Sequence, residues 1–259
     1  MTAYALLQLG TASPTADQLK RAFKSLPRMT EADAVKVARE AYGILLRNLP
    51  LDEADTLQRA LAGEGVPTEV VEASQLPKLP EARFTRRAEL QSEAFVVFDP
   101  LGRPASVSWP RIALIAAGAC RHFGVNQTRT EQRVTTFDPV RGFHRRVEVD
   151  VRHKVEDDVP ILLEVILAGA SMRFQIEADQ FQFKQVFDRP DLDRAGRVAL
   201  LIKRLGGQAP QAWLNRGASG LRDGSAAPLA YASKAAFFDE SLWLLWRQAR
   251  GEPAPGLPG

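Results

Sequence analysis

The sequence predicts an α+β protein: a small β-α-α-β-α-β domain, then a mainly antiparallel β domain with C-terminal helices. Three observations carry this. Two capping-box spacings open helices early in the chain, two Asp-Pro turns sit between β-forming runs in its middle, and helical stripes return after residue 190. Residues 94–118, AFVVFDPLGRPASVSWPRIALIAAG, organise the second part. In Asp99-Pro100-Leu101-Gly102 the Asp suits the first turn position, Pro100 pre-sets φ near −65° and Gly suits the fourth. Phe95 to Phe98 before the turn lack helical periodicity, and Val107 and Trp109 after it alternate with Ser106 and Ser108, so a hairpin is predicted.

Residues 3–9 form a strand candidate. Thr15-x-x-Gln18 starts a helix to about Lys24, which Pro27 ends, and Thr30-x-x-Asp33 starts a second one with Met29, Ala34, Val37, Ala38 and Ala41 as its stripe. After Gly43 comes a strand to Leu49. Residues 51–63 then form an amphipathic helix with Asp52, Glu53 and Asp55 in its first turn, where the helix dipole favours acids. Gly65 closes it, and Thr68 to Glu72 is the last strand.

That order, with the run LPLDEADTLQRALAGEGVPTEV from Leu49 to Val70, resembles the C-terminal domain of the bacterial ribosomal stalk protein. The pattern Asp52, Ala54, Leu57, Ala60, Leu61, Gly65, Val70 carries the resemblance. It implies a compact domain over about residues 1–73 whose first helices, with Lys20, Arg21 and Lys24 exposed, dock another protein.

Residues 74–92 hold Pro77, Pro80 and scattered charges with little periodicity, and are expected to be a linker. Strands are expected near 94–98, 104–109, 112–121, 129–137, 143–152, 160–168 and 171–178, although 112–121 is Ala-rich enough to be a helix. In 171–178 Met172, Phe174 and Ile176 are expected inward, with Arg173, Gln175 and Glu177 toward solvent. A helix follows with Ala195, Val198, Ile202 and Leu205 as its stripe, ended by Gly206-Gly207. Seven strands and then a helix resemble the plan of pleckstrin-homology-like barrels, and the domain is drawn as 93–207. Segment 208–232 is expected to wrap the surface. The helix 234–250 is apolar on more than one face, and Phe237 to Trp246 either pack on their own domain or form a partner or oligomer face. Residues 251–259 are expected to be a disordered tail.

No run reaches the roughly 18–20 apolar residues of a membrane helix. With no recognisable signal peptide and a single cysteine, Cys120, the expected address is the cytoplasm. The net charge of +3 is unevenly spread: residues 1–80 carry nine Lys/Arg against ten Asp/Glu, and 103–154 carry ten against four. The alternation in 143–152 sets Val147, Val149 and Val151 against His144, Arg146, Glu148, Asp150 and Arg152. With Arg129, Arg133 and Arg145, the arginines Arg146 and Arg152 form a candidate anion-binding set, weighed against a solvated sheet face. Because Glu148 and Asp150 offset them, nucleic-acid binding is expected to be weak or absent.

Phosphate loops, GxGxxG, a nucleophile elbow, CxxC and HExxH do not occur. Cys120-x-His122 is a weak metal signal, and no metal, cofactor or catalytic residue is assigned. Glu164 within an apolar run is a buried-acid candidate that an edge position or an arginine partner would also explain. The first functional reading is a non-enzymatic protein-interaction or scaffold protein. Its alternatives are a binder of a phosphorylated ligand through the basic hairpin 129–154, and an enzyme without a recognisable motif.

Overall fold

Both early capping boxes close as the spacing predicts. Thr15 accepts from the Gln18 amide and Thr30 from the Asp33 amide, each residue at the third helical position reaching back in return. In this computed structural model the backbone is described for residues 2–120, 127–138, 142–153 and 159–254, and the side chains for 2–120 and 159–254. The first elements are β1 (Tyr4–Gln8), α1 (Ala16–Phe23), α2 (Glu31–Glu40), β2 (Ile44–Leu49), α3 (Leu51–Gly63) and β3 (Thr68–Glu72). They make an antiparallel sheet in the order β2-β1-β3. Leu6, Leu45 and Leu49 face the helices and pack on Leu19, Phe23, Ala34, Leu57 and Leu61.

The other face of that sheet is also covered. Ala5, Leu7, Ile44 and Val71 join a second core whose partners lie beyond residue 110. Burial on both faces explains why β1 reads as a nearly continuous apolar run.

Segment 74–92 is not a bare linker. It supplies β4 (Ala82–Phe84) and β5 (Arg87–Leu90). Both are short, charged strands at the ends of their sheets, where polar side chains are tolerated and apolar periodicity is weak. β5 pairs with β6 (Ala94–Phe98), and β6 with β7 (Pro104–Ser108). The Asp99 turn forms as expected. Asp99 Oδ1 accepts from the Leu101 and Arg103 amides at 2.9 and 2.8 Å, and Gly102 takes φ 77° in the bulge that follows.

The Ala-rich run is a strand, β8 (Ile112–Cys120), with all nine residues buried. After it come β9 (Gln127–Asp138) and β10 (Gly142–His153), then β11 (Ile161–Leu167) and β12 (Arg173–Glu177). All seven expected strands of the second part are thus present. Their pairing is not a simple meander, because β8 pairs with β11, across the β9–β10 excursion. α4 (Arg194–Gln208), capped by Asp193, forms where a helix is expected, but it runs through Gly206-Gly207 to Gln208 instead of stopping there. Segment 208–232 is more ordered than expected, with β13 (Trp213–Leu214), α5 (Arg216–Arg222) and β14 (Ala230–Tyr231). The reason is Asn215, which is fully buried as the cap of α5. The larger sheet runs β13-β8-β11-β12-β4, with β14 also on β8.

One face of this sheet packs on β5–β7, α4 and α5 through Ile115, Leu163, Val165, Phe174, Phe95 and Leu201. The other face, with Leu114, Ala116, Leu162 and Ile166, meets α6 (Lys234–Ala249). Phe237, Trp243, Leu244, Leu245 and Trp246 of α6 are buried in the chain's own core. The helix expected either to pack internally or to form an oligomer face therefore does the former, lying against both sheets. Gly43 marks its close approach: a Cβ there would stand 2.5 Å from Trp243 Cγ.

His122–Val159 forms a second compact unit, separate from the unit made by the rest of the chain. Residues 255–259, in the expected tail, lie outside the described residues.

Candidate functional site

The basic residues of α1 are only partly free. Lys20 is half-buried and stands 3.6 Å from Asp17, and Arg21 is held by Glu64 at 2.6 Å. Lys24 is exposed at the C-cap. The docking face read from the sequence thus presents one cation without a partner among the described residues and two that are neutralised by neighbours.

In the second unit β9 and β10 form an antiparallel ladder of twelve residue pairs, from Gly142↔Asp138 to His153↔Gln127. Among the described residues each strand pairs only with the other. The register separates the candidate arginines. Arg129 stands across from Val151, Arg133 from Val147 and Arg145 from Thr135, whereas Arg146 stands across from Val134 and Arg152 from Thr128. Positions alternate along a strand, so Arg129, Arg133 and Arg145 share the valine register and Arg146 and Arg152 the opposite one. The candidate anion-binding arginines are therefore split between the two registers of the ladder. Their side chains lie outside the described residues.

Glu164 is the acid the sequence flagged, and it is not at an edge. It sits mid-strand in β11, fully buried, across from Ala116 of β8 and Gln175 of β12. Arg173 Nη1 approaches its Oε1 to 3.4 Å, too poorly aligned to bond, and neither carboxylate oxygen has a hydrogen-bond partner among the described residues. Arg173 is itself mostly buried, its guanidinium 4.9 Å from the Phe238 ring. The expectation that Arg173 and Gln175 face solvent therefore fails. Their face of β12 lies on the side covered by α6. Burial pushes the Glu164 carboxyl up to about 7, against the pull of Arg173 and Lys234. A carboxyl so placed takes up and releases its proton near neutrality.

A second buried polar group has no shortage of partners. Asn215 Oδ1 accepts from the Ala117 and Ala218 amides at 2.8 and 2.9 Å, and its Nδ2 donates to Ala117 O and to the Tyr231 hydroxyl. That hydroxyl donates to Glu240 Oε2 at 2.7 Å, and Glu240 also accepts from the Arg216 backbone and guanidinium. Burial, then the Glu240 charge, holds the Tyr231 phenol well above its ordinary value. Arg216 covers the Tyr42 ring at 3.5 Å. This set locks α5, β14 and α6 onto β8. Asn215-Arg216-Gly217 reads locally as a turn signal, and its pattern holds no sign of partners at 231 and 240.

Cys120 is a buried free thiol, pushed up to about 12 by burial, with Lys234 opposing and Glu164 adding. Its companion in the weak metal signal, His122, lies outside the described residues. Among the described residues no group of three or more His, Cys, Asp or Glu converges as a metal site, and no helix is long and apolar enough to cross a membrane. No known protein family, curated protein or solved structure matches the chain.

Proposed function

We propose that this is a non-enzymatic protein-interaction or scaffold protein acting in the cytoplasm, with the β9–β10 hairpin as its contact arm. The observation that carries the reading is the twelve-pair ladder, a unit of its own whose strands pair only with each other among the described residues. A two-stranded hairpin is marginally stable in water, and its outer edges offer rows of backbone donors and acceptors. An extended partner segment that adds to such an edge satisfies those groups and stabilises the arm. The β-α-α-β-α-β order of residues 4–72, with Lys24 exposed at the end of α1, supports a second docking surface of stalk-domain type. The buried free thiol of Cys120 is in keeping with a reducing compartment.

The test is site-specific photo-crosslinking in cells that make the protein naturally, with the crosslinker at Thr130 or Val149 of the full chain and at exposed Leu101 as control. The reading expects one recurrent protein adduct from the hairpin positions and none from Leu101. Adducts confined to the chain itself would overturn it.

The basic excess of residues 103–154 favours a second reading, a phosphorylated ligand held by the hairpin. β-ribbons can enter a nucleic-acid groove. Nucleic-acid adducts from the same positions would move this reading first. So would anisotropy binding that falls steeply between about 50 and 200 mM salt, where counterion release is large, and is lost when Arg129, Arg133 and Arg145 become Ala.

A further inference from the structure

A cleft of about 760 Å3 opens where the chain passes from β4 to β5, beside the end of β12 and the Asp99 turn. That volume is in the range of small-molecule sites, roughly 300–1,000 Å3. Two acids and two arginines line it, and the acids are already occupied. Asp99 accepts from the Leu101 and Arg103 amides and from Arg103 Nε at 2.6 Å. Glu177 accepts from Gln175 at 3.3 Å and from Gln180 at 2.6 Å.

The arginines are less committed. Arg86 is exposed, and its side chain makes no hydrogen bond or ion pair among the described residues. Arg87 donates through Nη2 to Glu89 at 2.8 Å and lies 4.1 Å from the Phe98 ring, and its Nε is buried without a partner. Donors on the cations thus exceed free acceptors on the lining, although the formal charges balance. Beside them Phe84 is 59% exposed, on a strand where it stands next to the buried Gln175 in register. An aromatic ring left open at the mouth of a cleft offers a flat apolar face for stacking.

We propose that this cleft binds a small planar organic anion, its acid group against Arg86 and Arg87 and its ring against Phe84. A guanidinium fork suits a carboxylate and a phosphate alike, so the acid group is defined by geometry and charge, not by element. The site belongs to the larger unit and is independent of the hairpin, so either assignment can fail without the other.

The experiment is calorimetric titration of the full chain with benzoate and with adenosine 5′-monophosphate, against inorganic phosphate and benzyl alcohol as half-ligands. One aromatic anion is expected to bind saturably, and which of the two does so identifies the acid group. Each half-ligand should bind at least about tenfold more weakly, as expected when one of two contacts of about 1.4 kcal/mol or more is missing. Phe84→Ala and Arg86→Ala alter exposed side chains, and unchanged thermal midpoints will show that both variants fold. Each should weaken binding by about tenfold or more. Absence of saturable binding tighter than about 1 mM for both anions would overturn the proposal, as would phosphate binding as tightly as the nucleotide, or both variants binding like the parent.

Discussion

Glu164→Gln should make the protein more stable at neutral and alkaline pH. The side chain is fully buried, its two oxygens have no hydrogen-bond partner among the described residues, and its carboxyl is raised from 4.5 to about 7 by burial. Two charged groups act on it, Arg173 from β12 and Lys234 from α6, and both pull it down, while Glu164 in turn raises the buried Cys120 thiol of β8. Because the folded protein holds the proton more tightly than the unfolded chain, this group's contribution is fully present below about pH 4.5. It is lost as pH rises through about 7. Each pH unit of that interval is worth about 1.4 kcal/mol, so the loss is on the order of 3 kcal/mol by pH 8. Glutamine keeps the shape and cannot ionise. The assay is urea unfolding at pH 5, 6, 7 and 8, followed by tryptophan fluorescence, to which the buried Trp109, Trp243 and Trp246 contribute. Parent and variant should be nearly equal at pH 5, and the variant should lead by roughly 2–3 kcal/mol at pH 8. The acids whose carboxyls are lowered, such as Asp33 and Asp99, titrate below this window and cancel in the comparison. Parallel pH profiles, or a gap that widens toward pH 5, would refute the reasoning.

Asn215→Ala should cost about 3–5 kcal/mol by denaturant unfolding, since it leaves the Ala117 amide and carbonyl and the Ala218 amide buried without their side-chain partner. Gly217→Ala should destabilise by about 1–3 kcal/mol or more, because its Cβ would lie 2.0 Å from the Ala117 carbonyl oxygen, a backbone atom that cannot swing aside. A thermal midpoint unchanged in either variant would contradict the packing of α5 on β8.

What the sequence made legible was local. The capping pairs Thr15/Gln18 and Thr30/Asp33 and the Asp99 turn are each decided within a few residues, and each forms where the spacing puts it. β8 stayed ambiguous because a strand buried on both faces loses its alternation, and its alanines and Gly118 fit either state. β4 and β5 were hidden for the opposite reason: short end strands carry charges and only Ala88 is wholly buried. Among candidate site residues, Glu164 could be marked from its apolar surroundings. Its failure to bond Arg173 could not, since that depends on how β12 and α6 meet. The Tyr231–Glu240–Asn215 set and the Arg86 cleft join residues that no spacing rule connects.

The position of α6 decides how the larger unit should unfold. Residues 1–73 have the element order of a self-contained domain, yet their sheet buries Ala5, Leu7, Ile44 and Val71 in the core that holds Trp243 and Trp246. Trp243 Nε1 donates to Gln8 O at 2.8 Å, and Arg47 grips Asp239 of the same helix through two bonds at 2.9 and 2.6 Å. A cut within 74–92 leaves these contacts in place, so the two pieces should stay together under native conditions. Removal of 234–250 instead bares an apolar face on each sheet. Burial of each large side chain is worth about 1.5–3 kcal/mol, and Phe237, Trp243, Leu244, Leu245 and Trp246 are all buried, so the loss is comparable to the whole stability of an ordinary domain. The truncated chain should therefore show no cooperative thermal transition and should aggregate in sedimentation. A nicked protein that separates into two monomeric, cooperatively folding pieces would refute this account.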